Sequence, residues 1–72
     1  MFKASLKDVG NCRVTKDVLF RTGCICDAEI AATAICADVL DRDNFRVVDV
    51  GDGEYNIMDG RILLGSFTIV KQ

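Results

Sequence analysis

Four cysteines, Cys12, Cys24, Cys26 and Cys36, are the first residues to ask about, because thiolates bind metals, exchange disulfides and attack electrophiles. A structural zinc site draws its ligands from two close pairs, and here only Cys24-x-Cys26 is close. If a strand separates Cys12 from Cys24, about eight residues at ~3.3 Å each keep them apart. A helix after Cys26 carries Cys36 roughly 15 Å along its axis. One tetrahedron does not gather all four. Cys12 and Cys36 therefore read as small buried apolar residues, which free cysteine often is. Cys24 and Cys26 precede a helix start, where the dipole favours thiolate chemistry, so a redox or metal role is the alternative for that pair.

The remaining catalytic chemistry is thin. There is no histidine, which removes the commonest general base and metal ligand. Ser5 and Ser66 are the only serines, and neither lies in a Gly-x-Ser-x-Gly turn. The six glycines form no phosphate-binding pattern. A chain of 72 residues also leaves little volume for a substrate-enclosing cavity. The expectation is a protein that is not an enzyme and holds no cofactor and no metal.

The elements that position these residues follow from periodicity. Phe2, Ala4 and Leu6 alternate with Lys3, Ser5 and Lys7, the pattern of a half-buried strand. Cys12, Val14, Val18 and Phe20 continue the alternation after Gly10-Asn11. A two-residue loop there would put the apolar set of one strand opposite the polar set of the other, so a bulged turn is expected. From Asp27 to about Asp41, Ala28, Ala31, Ala32, Ile35, Cys36 and Val39 gather on one stripe of a helix. Ile30, Ala34 and Ala37 form a second strip on its other side.

Asp52-Gly53 and Asp59-Gly60 each suit a two-residue type I′ hairpin. Those turns together would place Val48, Val50, Tyr55, Ile57, Ile62 and Leu64 on one core face. The phase then changes before Phe67 and Ile69, which calls for a bulge at Gly65. The reading is one compact α+β domain over residues 1–72. It has a single helix packed on an antiparallel sheet of four to five strands, in the order ββαβββ. No apolar run approaches a membrane span, and the N-terminus lacks the pattern of a signal peptide. No membrane association is expected. A reducing, cytoplasmic setting without disulfides is.

Charge says more about function. The net charge of −2 hides nine acids against two arginines in residues 27–59. The rest of the chain is basic, with Lys3, Lys7, Arg13 and Lys16 in its first strands. Asp in turns and at helix ends has local reasons. Clustered carboxylates also steer docking on a basic protein surface and repel nucleic acid. Asp38, Asp41, Asp43, Asp49, Asp52 and Glu54 are the candidate acidic contacts. By the same hairpin arithmetic Phe45, Val47, Met58 and Leu63 fall on the sheet face away from the core, as a candidate apolar contact strip. Self-association is the other use of such a strip.

The Ala-rich stretch Ala28-Glu29-Ile30-Ala31-Ala32-Thr33-Ala34-Ile35, followed by Asn44-Phe45-Arg46-Val47-Val48, resembles small phage-encoded proteins, among them anti-CRISPR inhibitors. The resemblance covers roughly residues 14–58 and assigns no individual residue. It implies an acidic binding protein that occupies the surface of a Cas protein inside a bacterial host cell. The expected function is thus a non-catalytic protein-binding inhibitor that covers a basic, nucleic-acid-binding surface of its target. The alternatives are a small nucleic-acid-binding module using Lys3, Lys7, Arg13 and Lys16, with direct nucleic-acid binding disfavoured by the overall charge, or a thiol protein using Cys24 and Cys26.

Overall fold

A computed structural model describes residues 1–72. Strands β1 (Phe2–Val9) and β2 (Val14–Phe20) precede helix α1 (Ile25–Leu40), and β3 (Arg46–Gly51), β4 (Glu54–Asp59) and β5 (Ile62–Lys71) follow it. The five strands form one antiparallel sheet in the order β2-β1-β5-β4-β3. This is the expected α+β arrangement of one helix on an antiparallel sheet, ββαβββ. No helix is long and apolar enough to cross a membrane.

The helix lies over β1, β2 and β5 rather than over the whole sheet. Small residues make that approach possible: Ala28, Ala32 and Cys36 are all fully buried, as is Ala4 beneath the helix. Together with Phe2, Leu6, Val9, Tyr55, Ile57, Phe67 and Ile69 they form one hydrophobic cluster. Tyr55 and Phe67 face each other across β4 and β5 and stack with ring centroids 5.0 Å apart. The helix begins two residues earlier than its periodicity predicts, with Cys24 as the N-cap. Thr22 organises that start, because its hydroxyl accepts the Cys24 N–H at 3.2 Å and donates to the Asp27 carboxylate at 3.3 Å.

The β1–β2 phase is repaired by a bulge, as expected, but inside the strand. The register shifts between Leu6 and Val9. Asp8 there has a positive φ of 52° and donates its N–H to the Thr15 hydroxyl at 3.2 Å. Cys12 falls in the loop that precedes β2 and is exposed, so the expected buried position is corrected.

The β3–β4 register also differs from the expected one. Asp52 and Gly53 both have positive φ, 55° and 75°, as a type I′ turn requires. One residue earlier, however, the strand bulges. Gly51 sits at φ 93° and its N–H is held by the Asp49 carboxylate at 2.9 Å. Val50 slips out of the ladder, so Val47 rather than Val48 faces Ile57. Val47 and Phe45 consequently pack against the core, while Val50 is half exposed.

At the second hairpin the two-residue loop is Gly60-Arg61, since Asp59 pairs with Ile62. Gly60 alone has positive φ, 59°, which is the type II′ pattern with glycine at the first central position. Leu64 is then an extra residue between Leu63, which faces Met58, and Gly65, which faces Ile57. That bulge brings Phe67 and Ile69 into the core and leaves Ile62 and Leu63 at 64% and 58% exposure.

Candidate interaction surface

The helix C-terminus carries the most concentrated charge. Asp41 adopts the left-handed conformation at φ 55°, and the Arg42 N–H bonds back to the Ala37 carbonyl at 3.2 Å. This closes the helix in the manner that glycine usually provides. Asp38, Asp41 and Asp43 all stand exposed around this end. They border a shallow depression with Ala34, Ala37 and Arg42. The last turn contains no basic residue. Arg42 is already paired: its Nη2 donates to the Asp59 carboxylate at 2.7 Å and its Nε to the Asn44 side-chain oxygen at 2.7 Å. The negative end of the helix dipole and three carboxylates therefore coincide without a counter-cation on the helix.

Asp49, Asp52 and Glu54 do not belong to this surface. The helix ends beside Gly10, whose neighbour is the Leu40 side chain, while the Asp52-Gly53 turn adjoins Ile69 near the other end of β5. The length of β3 alone separates the two ends by about 17 Å. The single acidic surface expected from sequence is thus two clusters at opposite ends of the sheet. Two members of the second have local structural work as well. Asp49 accepts the Gly51 N–H, and Asp52 supplies a positive-φ turn position that Asp tolerates. At this end the Tyr55 hydroxyl is raised above its ordinary range by burial, with Glu29, Asp49 and Cys26 adding to the effect.

The apolar strip holds for two of its four residues and is corrected for the other two. Phe45 and Val47 pack against the core, whereas Met58 pairs with Leu63 on the open face. The rest of that face is mixed: Lys3, Ser5 and Lys7 of β1 lie beside Thr68 and Ser66 of β5 and Asn56 of β4, with exposed Leu19 and Val70 on either side of Lys3. The four cations of the nucleic-acid alternative do not share it. Lys16 faces Leu6 and so points to the helix side.

The apolar surface that does form lies at the helix C-terminal end. A groove of about 410 Å³ there is lined by Val9, Val14, Val39, Leu40, Ile62 and Leu64, with Cys12 at its wall. The signal in the sequence was the run Ile62-Leu63-Leu64 directly after the Gly60-Arg61 turn. A strand cannot hide three consecutive apolar side chains on one covered face.

No three His, Cys, Asp or Glu side chains converge to hold a metal ion. All four cysteines are free, and only Cys36 is buried. Burial pushes the Cys36 thiol from 9.0 up to about 11. The unfolded thiol ionises first, so the native state holds its proton more tightly between those two values. Stability should be full below pH 9 and fall as pH rises from 9 to 11, by on the order of 2 kcal/mol. Urea unfolding across that range should give a visibly flatter profile for Cys36→Ala, with the residual slope left by Tyr55 and Cys26, both also raised. Identical profiles would show that Cys36 is not the titrating group.

No protein family, curated protein or solved structure matches the chain.

Proposed function

We propose that this protein is a non-catalytic binding module that docks the carboxylates at its helix C-terminus on a basic, nucleic-acid-binding surface of a partner protein. A phage-type inhibitor acting on a Cas protein in the bacterial cytoplasm is the form of that function to which the Ala-rich helix and its sequel lead. The observation that supports it is the placement of Asp38, Asp41 and Asp43. All three are exposed at the negative end of the dipole, with no cation in the last turn. Like charge there costs about 0.3–1 kcal/mol per residue at low salt, so the arrangement works against the fold. A basic partner surface converts that local repulsion into attraction and speeds encounter.

The triple variant Asp38→Asn, Asp41→Asn, Asp43→Asn tests the reading. Asn tolerates the left-handed position as well as Asp, so the variant should melt at the same temperature as the parent or slightly higher. It should lose capture of a basic host protein from nuclease-treated lysate. Asp49→Asn, Asp52→Asn, Glu54→Gln should keep that capture. Retention on nucleic acid alone, weakened by Lys3→Ala and Lys7→Ala but indifferent to the acids, would replace this function with nucleic-acid binding.

A further inference from the structure

Cys24 and Cys26 take no part in the acidic docking surface, and both thiols stand in solvent. Ile25 between them is already helical. A helical residue holds the Cα atoms on either side of it about 5.4 Å apart, inside the ~4.4–6.8 Å span of natural disulfides. Two residues along a regular helix would point to opposite sides. Cys24 is extended instead, at φ −122° and ψ 128°, so it stands outside the spiral.

Neither sulfur is committed elsewhere. Cys24 makes no side-chain bond to the helix start, because Thr22 performs that service through its hydroxyl. The other thiols cannot compete. Cys12 lines the groove at the far end of the sheet, and Cys36 is fully buried, roughly 15 Å along the helix from Cys26.

We propose that Cys24 and Cys26 form a reversible dithiol–disulfide couple that exchanges with low-molecular-weight disulfides of the glutathione class. The Cys24 thiolate attacks one sulfur of glutathione disulfide and expels glutathione thiolate, leaving a mixed disulfide on Cys24. The Cys26 thiolate then attacks the Cys24 sulfur and expels the second glutathione. The protein loses two protons and two electrons, and glutathione disulfide gains them as two glutathiones. Attack by Cys26 first, with Cys24 resolving, gives the same disulfide and the same two glutathiones. A ring spanning one residue is strained, and strained disulfides are the readily reduced, exchanging kind.

The test equilibrates the full chain in glutathione buffers of graded ratio, quenches with acid, alkylates in denaturant and weighs the product. The expected oxidised product takes up two alkyl groups rather than four, is lighter by two hydrogens, and maps to the peptide holding residues 24–26. Cys26→Ser should trap a glutathione adduct on Cys24, and Cys24→Ser should trap one on Cys26. Four alkyl groups at every ratio would overturn the proposal. So would a stable glutathione adduct on the parent chain without ring closure, or oxidation that appears only as crosslinked dimers lost in Cys12→Ser.

Discussion

Gly65→Ala should destabilise this protein by about 3 kcal/mol or more, enough to unfold a large fraction of it at physiological temperature. The added Cβ would sit 2.7 Å from the Val9 Cα, 3.0 Å from its Cγ2 and 3.1 Å from the Asp8 carbonyl oxygen. Two of those three obstacles are backbone, which cannot step aside like a side-chain tip. Val9 is fully buried, and the Gly10 N–H is tied to the Leu64 carbonyl at 2.9 Å. The strands β1 and β5 are therefore pinned on both sides of the contact. Gly23→Ala is the matched control. Nothing lies within 4 Å of its Cβ position and its φ is not positive, so it should be neutral or gain up to about 1 kcal/mol. Urea midpoints of the two variants give the comparison. Equal midpoints would mean that β1 and β5 do not approach at Gly65.

Phe67→Ala should abolish the folded state. Truncating a buried phenylalanine costs about 3–5 kcal/mol, and its stack on Tyr55 adds about 0.5–1.5 kcal/mol. Phe67 is 1% exposed and faces Leu6 on one side and Tyr55 on the other, so it joins β1 to β4 through β5. A domain this small has only a few kcal/mol of net stability. The amide spectrum of the variant should collapse to random-coil dispersion. Phe67→Leu, which retains most of the volume, should stay folded with a lower midpoint. Ile62→Ala removes a comparable apolar side chain that is 64% exposed, and it should change stability by less than about 0.5 kcal/mol. A well-dispersed spectrum for Phe67→Ala would place the core elsewhere.

The errors in reading the sheet share a physical origin. Asp52-Gly53 does form the expected type I′ turn, yet the bulge at Val50 turns β3 over, because a slip of one residue moves every side chain to the opposite face. Gly51 makes that bulge possible through its positive φ, and the Asp49 carboxylate holds it. A glycine followed by Asp-Gly fits either register locally, and only packing against Ile57 selects between them. At Gly60 the same ambiguity arises between two turn types. The structure takes the one that leaves Asp59 outside the loop and free to meet Arg42.

The sequence by itself determined the kind and order of the elements. Alternation in Phe2–Leu6, the Ala-rich stripe from Ala28 to Val39, and glycine-marked turns are local properties that each segment carries alone. It also determined that the phase must break near Gly65, since no unbroken strand puts Ile62 and Leu64 on the same face as Phe67 and Ile69; the structure breaks it at Leu64. Tertiary structure alone decided which face of β3 is covered, and so removed Phe45 and Val47 from the surface. It alone divided six carboxylates between two ends of the sheet, because the direction in which a helix crosses a sheet is set by packing and not by any residue's own preference. That division leaves Asp38, Asp41 and Asp43 together at the dipole's negative end and sends Asp49, Asp52 and Glu54 to the far turn.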